Sequence, residues 1–298
     1  MGLPRVGITV GDPSGIGPEI SNKAVGDRHV TDVCKPVLYG SVQEPQDGLP
    51  VGGVPSADSG RAAYDAVCRA TADALAGRLD AITTAPINKA AWALAGIPWR
   101  GHTDLLAHLT GVEQVAMMFY AEQLRVVLAT VHVALADVPR FLTRKRVEKT
   151  IQLANDALPR FGFAHPRLAL AGLNPHAGEK GLMGDEEARI LQPAVNASRD
   201  AGINVTGPLP GDTVFVRALN GDFDAVVACY HDQGLIPVKM VAFGRAVNIT
   251  LGLPVVRTSV DHGTANDIAG KGIADPSSMI EAVRLAAHLS SVRGTVDR

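Results

Sequence analysis

The chain has 298 residues, of which 46% are hydrophobic, so it can bury a substantial core in one large domain or two of ordinary size. Its formal net charge of -2 argues against nucleic acid or an anionic membrane surface as the main partner. No apolar run is long enough to span a bilayer, and the N-terminal residues lack a signal-peptide pattern. Three widely spaced cysteines, Cys34, Cys68 and Cys229, are typical of reduced thiols, so we expect a cytoplasmic protein.

Predicted strands and helices alternate in the first third of the chain. An apolar strand at 6–10 leads into a glycine-rich loop at 11–17, and a helix should begin near Pro18. Such a loop can present backbone N–H groups to an anion, but its spacing is not GxGxxG, so the usual dinucleotide fingerprint is absent. A polar loop at 41–57, an alanine-rich helix at 59–79 and a strand at 81–84 follow.

The middle of the chain adds a pair of strands at 116–120 and 124–131. Only three residues separate them, which predicts an antiparallel pair and suggests a second lobe inserted there. The remaining pattern is a strand at 167–171 with helices at 105–109, 144–158, 185–201, after Gly211 and at 276–289. Strands that alternate with helices indicate an α/β fold with a mostly parallel sheet.

The stretch 224–265 carries most of the polar groups suited to chemistry. It opens with an apolar strand at 225–229 and then brings Lys239, Asn248 and Arg257 among apolar residues and glycines. These side chains, together with His102 and Thr103, could hold a small substrate bearing a phosphate or carboxylate. The alternative is structural: a buried histidine that caps a strand, and cations on a solvated face. No Ser-His-Asp order, GxSxG or P-loop is present, which weakens the case for a hydrolase or kinase.

Three histidines occupy matching positions. His132, His176 and His231 each lie at or just past the carboxyl end of a predicted strand, the edge where open α/β sheets bind ligands. Three neutral imidazoles that converge there would suit Zn²⁺ or another borderline divalent metal. A single histidine in such a place is usually structural, and no local spacing such as HExxH supports a site. Asp212 and Asp232 are candidates for a fourth ligand or for orienting an imidazole.

Several long motifs, in order along nearly the whole chain, resemble the 4-hydroxythreonine-4-phosphate dehydrogenase family. They are GDPSGIGPE at 11–19, GHTD at 101–104, GLNPHAGE at 172–179, YHDQG at 230–234, NITLGLPVVRTSVDHGTA at 248–265 and GKGIADP at 270–276. The first motif and the segment 262–276 also look like the two ends of isopropylmalate and isocitrate dehydrogenases. The resemblance implies that superfamily's α/β fold, with two α/β/α lobes around a central cleft. We expect residues 1–100 plus 256–298 in one lobe and 101–255 in the other.

The resemblance also implies an activity, the NAD- or NADP-dependent oxidation of 4-phosphooxy-L-threonine in pyridoxal phosphate biosynthesis. It implies a homodimer with shared active sites and a divalent metal, Zn, Mg or Co. By this resemblance the metal ligands are His132, His176 and His231, the substrate residues are His102, Thr103, Lys239, Asn248 and Arg257, and Lys239 and Asp212 are catalytic. By analogy with the wider superfamily only, His262, Gly263, Asp267 and Asp275 lie in the nucleotide region.

Two departures from the family pattern keep other substrates open. The region 38–57 is shorter than in typical members, and residues 132–135 read HVAL where the pyridoxine enzymes more often have HLPL. Relatives with HVAL include dehydrogenases of four-carbon sugar-acid phosphates, such as threonate or erythronate 4-phosphate, and of aromatic cis-dihydrodiol carboxylates. A non-catalytic small-molecule binding protein is the alternative from a different class, although such a protein would need neither the histidines nor the nucleotide loop.

Overall fold

The computed structural model describes residues 2–40 and 53–292, so most of the loop predicted at 41–57 lies outside the described residues. Its strands are β1 (Arg5–Thr9), β2 (Lys35–Tyr39), β3 (Ala81–Thr84), β4 (Ala116–Ala121), β5 (Leu124–Leu128), β6 (Leu168–Ala171), β7 (Val205–Leu209), β8 (Ala225–Ala228), β9 (Val247–Leu251) and β10 (Val256–Ser259). Most are short apolar runs, and β3, β6, β8 and β10 are buried along their whole length.

Ten of the described α-helices lie between these strands along the chain, and the last one follows β10. They are α1 (Gly17–Val25), α2 (Arg28–Thr31), α3 (Ala57–Leu75), α4 (Lys89–Leu94), α5 (His102–Thr110), α6 (Val138–Phe141), α7 (Arg144–Ala157), α8 (Gln192–Asp200), α9 (Gly211–Leu219), α10 (His231–Ala242) and α11 (Ser277–Ser291). Single turns of 3₁₀ helix occur at Leu135–Asp137 and Leu158–Phe161, a distorted one at Pro175–Gly181, and a π-helical turn at Glu187–Leu191. None of the helices in the described ranges has the length and apolar character needed to cross a membrane.

The chain divides into two compact units. The first comprises Met1–Glu113 with Gly244–Arg298, and the second comprises Gln114–Phe243. These bounds place α5 and β9 in the first unit, whereas the sequence-based division assigned residues 101–255 to the other lobe. The physical reason is local: α5 packs on α3, and β9 pairs with β10.

The first unit contains five strands in the order β2-β1-β3-β10-β9. All neighbours are parallel except β10 and β9, which are antiparallel with Ser259 opposite Asn248. Helices α3 and α11 pack against these strands. Parallel pairing brings the carboxyl ends of β1, β3 and β10 to one edge, so the segments that follow these strands start side by side.

The second unit contains the strands β4-β5-β8-β6-β7. The predicted antiparallel pair β4–β5 is confirmed, and β5–β8, β8–β6 and β6–β7 are parallel. Helices α7, α9 and α10 pack on the inner strands. The carboxyl ends of β5, β6 and β8 therefore share an edge, and each is followed by a loop that leads to one of the three histidines.

Helix α10 was not predicted from the sequence, because it contains both Gly234 and Pro237, which weaken helices. Packing explains the glycine: a β-carbon at Gly234 would lie 2.6 Å from a methyl group of Leu128 and 2.8 Å from one of Val126. Only glycine lets the helix rest this closely on β5. The helix places His231 at its first position and Lys239 on its third turn.

Candidate active site

Two of the three predicted metal histidines lie together. Strands β5 and β8 run parallel and in register, and the ladder continues past their ends through Ala129 N–H to Ala228 (2.9 Å) and Thr130 N–H to Cys229 (3.2 Å). This continuation carries His132 and His231 to the same place, with ring centroids 5.7 Å apart. Two imidazoles bound to one tetrahedral zinc ion would have centroids about 5 Å apart, so this spacing fits a shared ion.

His231 also has a neighbouring carboxylate of the kind that orients metal-binding histidines. Its Nδ1 lies 2.6 Å from Oδ1 of Asp232, a hydrogen bond that fixes the ring and leaves Nε2 available. Both side chains are at least partly exposed. Asp212, the other acidic candidate, lies in the first turn of α9, where it is exposed.

His176 is not brought into the same group. It lies in the turn Pro175–Gly181 at φ 51° and ψ 29°, and the residues from His176 to Lys180 all have positive φ. Within residues 2–40 and 53–292, no group of three or more His, Cys, Asp or Glu side chains is arranged to hold a metal ion. The structure thus pairs His132 with His231 and places His176 on a neighbouring loop, exposed.

Partly buried hydrogen bonds hold the loop that carries His176. Asn174 donates its backbone N–H to Glu187 Oε1 (2.8 Å) and its side-chain amide to Glu187 Oε2 (2.9 Å) and Glu186 Oε2 (2.8 Å). A β-carbon at Gly178, at φ 82°, would lie 2.7 Å from the same Glu187 carboxylate. Left-handed backbone conformations cost non-glycine residues roughly 1–2 kcal/mol each. The hydrogen bonds from Asn174 to Glu186 and Glu187 offset part of that cost.

The predicted substrate residues of the first unit include a buried cation. Arg257, on β10, is 2% exposed, and its guanidinium donates to the hydroxyls of Thr250 (3.0 Å) and Thr84 (2.6 Å). Neither partner carries a charge. Burial lowers the pKa of Arg257 to about 9. The lowered pKa reflects the free-energy cost of keeping a positive charge buried there without an anion beside it.

His102 and Asn248 add polar atoms to this first-unit group. Burial, and then the charge of Arg257, hold the pKa of His102 well below its usual range, so the ring is neutral near pH 7. His102 opens α5, with Thr103 next to it in the first turn. In the described part of the chain, His102 Nε2, Asn248 Oδ1 and Arg257 Nε are buried without hydrogen-bond partners. Unsatisfied polar atoms around an arginine are what an anionic, hydroxylated ligand would satisfy.

The predicted nucleotide segment, 262–275, is hydrogen-bonded to the first loop of the chain. Ile16 N–H donates to Thr264 O (2.9 Å), and the Asn266 amide donates to Ser14 O (3.2 Å). A β-carbon at Gly15 would lie 2.8 Å from Thr264, so the two glycine-rich motifs touch directly.

Further along the segment, Lys23 Nζ donates to Gly272 O (3.0 Å) and Ala274 O (2.7 Å), and Glu19 accepts from Ala274 N–H (2.8 Å). Hydrogen bonds from the Ser277 hydroxyl and then from its backbone N–H lower the pKa of Asp275. Among the predicted nucleotide residues, His262, Gly263 and Asp267 are exposed.

The distant structural neighbours define the class. An isocitrate dehydrogenase from Methylococcus capsulatus is 19% identical, covers 95% of this chain and 85% of its own, and superposes with a TM-score of 0.51. At that identity the similarity concerns the fold alone. The predicted α/β fold of the isocitrate and isopropylmalate dehydrogenase type is confirmed.

The closer comparisons give the family. The family described as "Pyridoxal phosphate biosynthetic protein PdxA" matches residues 19–286. A 4-hydroxythreonine-4-phosphate dehydrogenase of Beijerinckia indica is 48% identical over 95% of this chain and 94% of its own length. A crystal structure of such a dehydrogenase from Burkholderia phymatum is 43% identical, covers 97% of this chain and 99% of its own, and has a TM-score of 0.83. The chain belongs to this family, as its motifs indicated.

Some relatives in the same range of coverage carry other names. A D-threonate 4-phosphate dehydrogenase of Cupriavidus necator is 45% identical over 98% of each chain. A terephthalate 1,2-cis-dihydrodiol dehydrogenase structure from Burkholderia xenovorans is 33% identical, covers 96% of this chain and 98% of its own, and has a TM-score of 0.69. These names match the alternatives that the HVAL sequence left open.

Proposed function

We propose that this chain is an NAD(P)- and divalent-metal-dependent dehydrogenase that oxidises 4-phosphooxy-L-threonine to 2-amino-3-oxo-4-phosphobutanoate. That product then loses its carboxyl group to give 3-amino-2-oxopropyl phosphate, a step of pyridoxal phosphate biosynthesis. The observation that carries the choice of a phosphorylated substrate is the buried Arg257, whose hydrogen-bond partners among the described residues are the neutral hydroxyls of Thr250 and Thr84, in a chain of this family. A doubly charged phosphate would compensate that charge, and a neutral diol would not.

The first unit would bind the anionic end of the substrate. Arg257 supplies the charge, and His102, Thr103 and Asn248 supply neutral polar atoms that read adjacent oxygen atoms. Because the pKa of His102 is lowered, its ring is a neutral partner, so the cationic recognition in this unit depends on Arg257. The segment with His262, Gly263, Asp267 and Asp275 would hold NAD or NADP, which accepts the hydride when bound.

The second unit would act on the reacting hydroxyl. His132 and His231 fit a shared ion by their spacing, and His176 is the third histidine that we assign to this ion. When bound, Zn²⁺, Mg²⁺ or Co²⁺ stabilises negative charge on the substrate oxygen. Lys239 on α10 and Asp212 on α9 are the groups we assign to proton transfer, and we also assign Lys239 to binding of the substrate.

The protein would work in the cytoplasm as a homodimer with shared active sites. Cys34, Cys68 and Cys229 are free thiols, which supports a reducing compartment. Support for the dimer comes from α10 and the residue after it, where Ile236, Met240 and Phe243 are spaced along one helical face and are 59%, 83% and 82% exposed. Large apolar side chains exposed in such a row mark a protein contact.

Met240→Glu should therefore weaken the dimer, because the new carboxylate would be buried without a partner on association. We expect the dissociation constant to rise about tenfold or more, which corresponds to ~1.4 kcal/mol. Sedimentation velocity over a concentration series measures this, with Val54→Glu as the control, since Val54 is equally exposed but lies in the other unit. Wild-type association of the Met240→Glu protein would exclude this face from the interface.

D-threonate 4-phosphate is the second candidate substrate, favoured by the similarity to the Cupriavidus necator enzyme and by HVAL at 132–135. We expect NAD(P)H formation with 4-phosphooxy-L-threonine at a higher kcat/KM than with D-threonate 4-phosphate, and none with the terephthalate dihydrodiol. The same assay without phosphate on either acid should show a loss far greater than the difference between the two acids. Preferred turnover of the dihydrodiol would overturn the assignment, and binding without turnover would favour a non-catalytic binding protein.

A further inference from the structure

Three loops of the second unit meet at one side chain, the amide of Gln233. They are the loop after β6, which leads to His176, the loop after β7, which leads to Asp212, and the loop after β8, which leads to His231. Gln233 lies in the first turn of α10, two residues after His231. It belongs to the motif YHDQG, but the sequence alone gives it no role.

Both ends of the Gln233 amide are bonded to backbone. Its Nε2 donates to Gly172 O at 2.6 Å, and its Oε1 accepts from Cys229 N–H at 2.7 Å. The orientation of the amide is fixed by these partners, because a backbone N–H can only donate and a carbonyl can only accept. The side chain therefore joins the end of β8 to the residue that follows β6.

The third loop, which follows β7, packs closely against the same amide. A β-carbon at Gly211 would lie 3.1 Å from Gln233 Nε2, so the start of α9 packs directly on the amide. Gly172, the acceptor, also donates its own N–H to Leu209 O at 2.7 Å, which ties the ends of β6 and β7. One side chain thus sets the spacing among the segments that carry His176, Asp212 and His231.

We infer that Gln233 is a positioning residue on which metal binding depends, because it fixes the starts of the loops that lead to His176, Asp212 and His231. The inference rests on the proposed function, because it assumes that the histidines bind a metal. It adds a residue that touches neither the metal nor the substrate. Groups that orient metal ligands from outside typically change metal affinity or activity about 10- to 100-fold when removed.

Two substitutions that roughly keep the size of the Gln233 side chain distinguish the contributions of its two hydrogen bonds. Gln233→Met removes both, while Gln233→Glu keeps the acceptor for Cys229 N–H and sets a carboxylate oxygen against the Gly172 carbonyl. We expect both to weaken Co²⁺ binding about 10- to 100-fold and to change the visible absorption bands of the bound Co²⁺. The band shape reports ligand geometry, which a general loss of stability would leave unchanged. Gln152→Met and Gln152→Glu, at an exposed position on α7, are the matched controls.

Wild-type Co²⁺ affinity and bands in folded Gln233→Met would overturn the inference and leave the proposed function standing. If that variant does not fold, Gly211→Ala decides, since it keeps both bonds but presses a methyl group on the amide. Weaker Co²⁺ binding by Gly211→Ala would support the inference, and unchanged affinity would contradict it. If the wild-type chain binds no Co²⁺, Zn²⁺ or Mg²⁺, the metal part of the proposed function fails, and this inference fails with it.

Discussion

Replacing His231 by alanine is expected to abolish binding of the divalent ion and to reduce turnover about a thousandfold or more. The expectation follows from its position: its ring lies 5.7 Å from that of His132, and Asp232 fixes it by a 2.6 Å hydrogen bond. Loss of charge stabilisation at the substrate oxygen is worth several kcal/mol, and about 4 kcal/mol corresponds to three orders of magnitude in rate. Metal content after dialysis and kcat measured with added metal report the two losses separately.

His165→Ala is the control for this experiment. His165 is an exposed histidine of the same unit, in the loop before β6, and its replacement should leave both metal content and kcat unchanged. His176→Ala should behave like His231→Ala if the loop bearing His176 closes on the ion. Full activity in a metal-free His231→Ala protein would contradict the assignment of His132 and His231 to a metal site.

The second large effect is expected for Arg257→Met, which removes the buried charge and keeps much of the side-chain volume. We expect binding of the phosphorylated substrate to weaken by about 2–5 kcal/mol, the range for removing one partner of a buried charge pair. That is roughly a 30- to 4,000-fold change in dissociation constant. Titration of the folded variant with substrate by calorimetry measures it, with NAD(P) titrated separately.

Arg284→Met is the control, because Arg284 lies on α11 in the same unit and pairs with Glu281 at the surface. It should leave substrate affinity within about twofold, since exposed ion pairs contribute little. Thr84 and Thr250 lose a donor in Arg257→Met, so the thermal midpoint of that variant is measured alongside. A loss smaller than tenfold in substrate affinity would mean that the phosphate is bound elsewhere.

Apolar runs explain why much of the fold could be predicted. The strand at 81–84 was predicted at its observed bounds because the β-branched run Ile-Thr-Thr follows a charged turn and is soon followed by Pro86. The antiparallel pair β4–β5 followed from a three-residue connection. The strand predicted at 124–131 ends earlier, at Leu128, although its backbone ladder with β8 continues to Thr130. Hydrophobicity alone does not distinguish a strand from an apolar extension of this kind.

The site residues were identified by type and motif, but their environments depend on the fold. Strand position predicted that His132 and His231 would lie together, whereas the left-handed turn at His176 has no signal in composition. The sequence presented Arg257 as one cation among several. Only the cross-strand placement of Thr250 and the neighbouring Thr84 reveals that it is buried with neutral partners.

The role of Gln233 also depends on the fold and could not be predicted from the local sequence. An amide in a polar motif has many possible roles, and its role became definable once β6 and β8 were seen as neighbours. Similarly, the contact between the loop at 11–19 and the segment 262–275 joins residues about 250 positions apart, which no local pattern encodes.

The measurement that tests the central claim most directly is the stoichiometry of the reaction with 4-phosphooxy-L-threonine. Purified protein loaded with a divalent ion and supplied with NAD or NADP should form NAD(P)H and carbon dioxide in equal amounts, and removal of the ion by a chelator should stop both. Folded, metal-loaded protein that binds this substrate yet forms neither product would contradict the account.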